Sequence, residues 1–109
     1  MLKYYLLASL IAVSFVGCSS SVDGEITCTH NSRIIKCVLK TAPTEETRKV
    51  DYFWKSPNSP TDDRNHTNAL VKNHASVFDG RYTRGRAKGT WEVTATMDEQ
   101  EYKTTFTLE

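Results

Sequence analysis

The sequence predicts an all-β fold, a small antiparallel β-sandwich of about seven short strands, and two observations predict it. Apolar residues recur with a period of two, as in Val50, Tyr52, Trp54 and again in Trp91, Val93, Ala95, rather than with the 3.6-residue period of a helix. Clusters of Asn, Asp, Gly, Ser and Pro then cut the chain into segments of strand length.

The chain has 109 residues, and its apolar content is concentrated at the start. A single charge at Lys3 precedes a nearly unbroken apolar run from Tyr4 to Val16, followed by Gly17 and Cys18. This is the plan of a signal peptide. As a helix the run would reach about 20 Å, short of the roughly 30 Å of a bilayer core, so a lasting transmembrane anchor is not expected. The remainder is only about one-third apolar, which makes a thin core that benefits from an extra constraint. The length excludes a multidomain enzyme, and no later stretch is apolar enough for further membrane spans.

The junction Phe15-Val16-Gly17-Cys18 resembles the lipobox of bacterial lipoproteins. The resemblance implies cleavage before Cys18, a diacylglycerol on its sulfur and acylation of the freed amine. One acyl chain gives marginal membrane binding, whereas two or three give a durable anchor. Ser19 rather than Asp follows the cysteine, which by the sorting rule of Gram-negative lipoproteins implies the outer membrane. The other reading is a plain cleavage site, with Cys18 an ordinary residue and the product freely soluble. The expected organisation is a signal peptide over 1–17, a lipidated tether of small polar residues over 18–24, and a β-sandwich domain over 25–109.

Three cysteines would leave one unpaired in an exported chain; assigning Cys18 to lipid leaves Cys28 and Cys37 as an even pair. The turn-favouring Asn31-Ser32 lies near the middle of the intervening segment, so a hairpin follows in which Thr29 faces Lys36 and His30 faces Ile35. A directly opposed cysteine pair is within disulfide range. The rival reading, two thiolate metal ligands, lacks a second pair at finger-like spacing and suits an oxidising compartment poorly.

Lys49 to Lys55 places Val50, Tyr52 and Trp54 on one face, and Phe53 on the other predicts apolar cover on both sides. Ser56 to Asn65, with two prolines and consecutive acids, is the clearest long loop. Thr67 to Phe78 fits a short helix or two brief strands; strand is preferred because no convincing cap precedes it and Val77-Phe78 runs into a turn expected at Asp79-Gly80. The closing hairpin predicts its own pairing. An even loop centred on Asp98-Glu99 sets Ala95 opposite Tyr102, Val93 opposite Thr104 and Trp91 opposite Phe106, with the large apolar side chains on one face. The Trp54 strand followed by Pro57, together with Gly89-Thr90-Trp91-Glu92-Val93, resembles bacterial immunoglobulin-like domains, which implies an Ig-like sandwich. In such domains the disulfide joins two sheets, whereas here both cysteines precede Trp54 and fall in neighbouring strands.

No catalytic residues are expected. His66 and His74 are eight apart, which matches neither helical nor strand spacing for a metal pair, and adding Asp62 and Asp63 gives a loop cluster of a kind that is ordinarily solvated. No serine has the surroundings of a nucleophile elbow. The acidic pairs Glu45-Glu46, Asp62-Asp63 and Asp98-Glu99 fall in turns rather than across a cleft. No metal and no cofactor are expected.

Arg84, Arg86 and Lys88 recur at every second residue, so in an extended strand they share a face, with Arg81 and Tyr82 beside them. Such a ladder could hold phosphate or carboxylate groups of an envelope protein or glycan; the alternative is protection of an exposed sheet edge. Nucleic acid is not an expected partner, because without Lys3 the remaining 13 basic residues balance 13 acidic ones. Asp63, Asn65 and Thr67 fit the acidic extended sequon of bacterial N-glycosylation. The resulting expectation is a non-catalytic, membrane-anchored envelope lipoprotein, held by lipid on Cys18, that binds or scaffolds another envelope component. The alternative is a lipoprotein inhibitor of a lysozyme-like hydrolase, although the Ser-Gly loop such inhibitors present is missing.

Overall fold

A computed structural model describes residues 24–109, and the leader, Cys18 and the tether up to residue 23 lie outside the described residues. Seven strands form: β1 (Gly24–His30), β2 (Ile34–Thr41), β3 (Arg48–Lys55), β4 (Arg64–Leu70), β5 (Ser76–Tyr82), β6 (Gly89–Met97) and β7 (Gln100–Leu108). They make two antiparallel sheets, β1-β2-β5 and β4-β3-β6-β7. The all-β sandwich expected from the periodicity is therefore the fold. Its fourth strand pairs with the third, whereas constant-type immunoglobulin domains place the fourth in the sheet of the first two.

Alternation decides which side chains enter the core. Ile35, Cys37 and Leu39 from β2 face Val50, Tyr52 and Trp54 from β3 and Trp91, Val93, Ala95 and Met97 from β6, all buried. Trp91 stacks on Phe106 with ring centroids 6.0 Å apart, and Trp54 meets both edge-on. Offset and edge-on pairs of this kind add about 0.5–1.5 kcal/mol each beyond their buried area. Tyr52 donates its hydroxyl to the Val77 carbonyl at 3.0 Å, linking the sheets. Burial pushes that phenol well above its ordinary range, opposed by a Leu39 backbone hydrogen bond and reinforced by the negative charge of Asp79.

The first hairpin has the expected register, with Cys28 opposite Cys37 and His30 opposite Ile35. A disulfide joins the cysteines, whose α-carbons are 4.0 Å apart. Asn31 closes the turn, its side-chain oxygen accepting from the Arg33 and Ile34 amides at 2.7 and 2.9 Å. The last hairpin also pairs as its alternation requires, Trp91 with Phe106, Val93 with Thr104 and Ala95 with Tyr102.

Both residues of that two-residue turn, Asp98 and Glu99, have positive φ, 52° and 66°. A turn of this hand matches the strand twist but favours Gly at the second position. Asp98 is held by Arg48 at 2.7 Å; Glu99 has no such compensation among the described ion pairs. Glu99→Gly is expected to raise stability by about 0.5 kcal/mol, relief of left-handed strain outweighing the added unfolded-state entropy. Thermal unfolding would show it as a rise of roughly 2–4 °C in Tm.

Four expectations are corrected. The outer face of β3 is open to solvent, with Phe53 36% exposed, because β3 lies inside a sheet whose other side has no covering layer among the described residues. Asp79-Gly80 is no turn but the middle of β5; the reversal occurs at 71–75, where Asn73 takes φ 69° and donates to the Thr44 carbonyl. Arg84, Arg86 and Lys88 are not on a strand. β5 ends at Tyr82, and Gly85 at φ 87° turns the chain, so 83–88 is a loop. The long loop after β3 carries a short 3₁₀ turn at Pro60–Asp62, and Arg64 and Asn65 already belong to β4.

Candidate functional site

The two sheets meet along one side where β5 and β4, each at the edge of its sheet, approach one another. Alternation along β5 sends Val77, Asp79 and Arg81 towards the space between the sheets and Phe78, Gly80 and Tyr82 outward. Asp79 is only 3% exposed, and a carboxylate in that position must be matched by donors. Trp54 Nε1 donates to one oxygen at 2.7 Å. The other lies 2.6 Å from His66 Nδ1, which must carry the hydrogen because a carboxylate can only accept, and 3.9 Å from Arg64. Asn68 reaches it at 3.4 Å and also donates to the Phe78 carbonyl at 2.7 Å.

A second carboxylate, Asp62, organises the basic loop. Arg81 donates to the Asp62 carbonyl at 2.8 Å and pairs with its carboxylate at 3.2 Å, and Arg86 Nε sits 3.3 Å from the same carboxylate oxygen. The other carboxylate oxygen accepts the Ala87 amide at 2.8 Å, and the Ala87 carbonyl in turn accepts from Trp91 Nε1. Arg81, its side chain 8% exposed, lies over the Trp54 and Trp91 rings at 5.6 and 5.5 Å. Its Nε is buried without a hydrogen-bond partner among the described residues. Burial, then the like charges of Arg86 and Arg64, lower its pKa against the support of Asp62, so positive charge is crowded here.

The predicted site residues thus divide. Arg81 and Arg86 turn inward onto Asp62, while Arg84 and Lys88 project from the loop. Lys88 donates to the Glu109 carbonyl at 3.2 Å. With His30, Asn31 and Arg86, these two line an open cleft of about 930 Å³ at the end of the sandwich. Asp62, expected in a solvated cluster, is instead the centre of this loop. The three histidines fall on separate elements: His30 packs on the Phe106 ring, His66 serves Asp79, and His74 lies in the β4–β5 turn. Asn65 is exposed on the edge strand β4, opposite Phe53. Among the described residues no group of three or more His, Cys, Asp or Glu could hold a metal, and no helix is long and apolar enough to cross a membrane.

Asp79, Asn68 and the Gly80 surface were missed by reading the sequence. The signal was present, because Val77, Asp79 and Arg81 share one parity and Phe78, Gly80 and Tyr82 the other. Local turn preference at Asp79-Gly80 obscured it.

No family model matches the chain, and no curated protein matches it. Among solved structures, a superoxide reductase in the oxidized state is similar at a TM-score of 0.47 and 12% identity, over 79% of this chain and 86% of that one. A likeness this low bears on neither the topology nor the chemistry.

Proposed function

We propose that the chain is an exported lipoprotein, anchored through lipid on Cys18 and directed to the outer membrane, whose β-sandwich acts by binding rather than by catalysis. It holds or scaffolds an anionic component of the cell envelope. The carrying observation is the concentration of guanidinium groups at one end of the sandwich. Arg81 and Arg86 share one carboxylate on Asp62, and Arg84 and Lys88 project beside them into an open cleft. Guanidinium groups suit such a ligand because they present a planar fork of donors to carboxylate or phosphate and stay charged. The leader and the Gly17-Cys18 junction support the anchor.

Cys18→Ser in the full chain tests the anchor. Labelling with radioactive palmitate is expected to fall to background, and the chain to stay uncleaved or be released from the outer-membrane fraction. A variant that fractionates with the outer membrane as the wild type does would sink the reading.

A further inference from the structure

The outer face of β5 carries a feature that the basic loop does not account for. Phe78 and Tyr82 point away from the core and are 50% and 79% exposed, with Gly80 between them. Beside Ile34 they wall a groove of about 460 Å³ above Gly80, within the size range of small-molecule sites. Glycine inside a strand weakens it and often marks a place where something must come close. Nothing in the fold demands it here. Gly80 is not among the residues of positive φ, and a Cβ would meet only ordinary neighbours, the Ile35 carbonyl oxygen at 3.4 Å and Ile34 Cδ1 at 3.6 Å. Gly24 is the contrast, since a Cβ there would come within 2.6 Å of the Tyr102 ring. Gly80 therefore keeps space open on the outside of the sheet.

The charge around that space is one-sided. Arg64, Arg81, Arg84 and Arg86 all line the groove, and among the described residues the carboxylates in contact with them are Asp62 and Asp79. Positive charge is left over for a ligand. We propose that the groove binds an acidic polysaccharide. A sugar ring lies over Gly80 with its C–H face against Tyr82, beside Phe78, whose ring carries the Lys36 ammonium 4.5 Å from its centroid, and its carboxylate or phosphate is held by Arg64 and Arg84. This deepens the binding-module reading and rests on it.

The combination selects a ring with a charge. Aromatic faces take up the apolar side of a sugar, and the guanidinium forks take its anion. An extended acidic peptide is a poorer fit, because peptides join an exposed edge through main-chain hydrogen bonds. Two edge carbonyls of β5 are already occupied, Phe78 by Asn68 at 2.7 Å and Gly80 by Arg64 at 3.5 Å.

The test uses the full chain purified from membranes in detergent and titrated calorimetrically with tetragalacturonate. Maltotetraose supplies rings without charge, tripolyphosphate charge without rings, and tetraglutamate an acidic peptide. Tetragalacturonate is expected to bind, and the other three at least about tenfold more weakly. Gly80→Leu, which fills the groove from an outward strand position, and Tyr82→Ala, which truncates an exposed ring, are each expected to weaken binding at least about tenfold with Tm kept. The proposal is overturned if tetragalacturonate does not bind, if tripolyphosphate or tetraglutamate binds as well, or if both variants bind like the wild type. Loss of binding in Lys88→Glu with Gly80→Leu unaffected would move the ligand to the loop cleft, ending this proposal while leaving the binding module intact. Failure of acylation at Cys18 would instead remove the anchor and leave the groove standing.

Discussion

Asp79→Ala is expected to lower the stability of the domain by about 3 kcal/mol. The carboxylate is 3% exposed and ties three strands together, accepting from Trp54 on β3 and facing His66 on β4 while itself sitting on β5. Its removal leaves Trp54 Nε1 buried without an acceptor, which carries the full desolvation cost of that donor. His66 and Arg64 are partly exposed and can turn to water, so the loss centres on the indole. Asp79→Asn retains an oxygen for Trp54 and is expected to lose about half as much. Urea unfolding followed by tryptophan fluorescence measures both. A loss below about 1 kcal/mol in Asp79→Ala would show that the carboxylate does not join the sheets.

Replacing both Cys28 and Cys37 by alanine is expected to lower stability by about 2–3 kcal/mol, corresponding to a fall in Tm of roughly 10–20 °C. The bridge closes a short loop, with a sequence separation of nine, so its effect lies at the lower end of what disulfides provide. It still counts, because a core this small leaves a margin of only about 5–15 kcal/mol. Cys37 is fully buried beside Ile35 and Leu39, so part of the loss comes from missing sulfur volume. Reducing the wild type with dithiothreitol separates the two contributions. Reduction that leaves the urea midpoint unchanged would show that the cross-link adds nothing to the fold.

The pairing of β6 with β7 was legible because a slip of one residue would put Trp91 and Phe106 on opposite faces, a penalty visible in the sequence itself. The cysteine hairpin was legible for a similar reason, since Asn31-Ser32 and the two sulfurs allow one alignment. Asp79 was not. An Asp-Gly pair has a strong local preference for turns, and that preference is overridden by a tryptophan 25 residues earlier that needs an acceptor. The basic stretch misled in the opposite sense: even spacing of Arg84, Arg86 and Lys88 implies a ladder only if the chain stays extended, and Gly85 turns it. Asp62 has no local signature at all. Its partners Arg81 and Ala87 are 19 and 25 residues away, and only the packing of the loop against Trp91 brings them together.

The direction of β1 gives the molecule a top and a bottom. The strand enters at Gly24, opposite Thr41, and runs seven residues to His30, which packs on Phe106 at the end where the arginines gather. Seven residues of strand span about 23 Å. Whatever leads into Gly24 therefore joins the domain at the end of β1 opposite the guanidinium groups and the Tyr82 face.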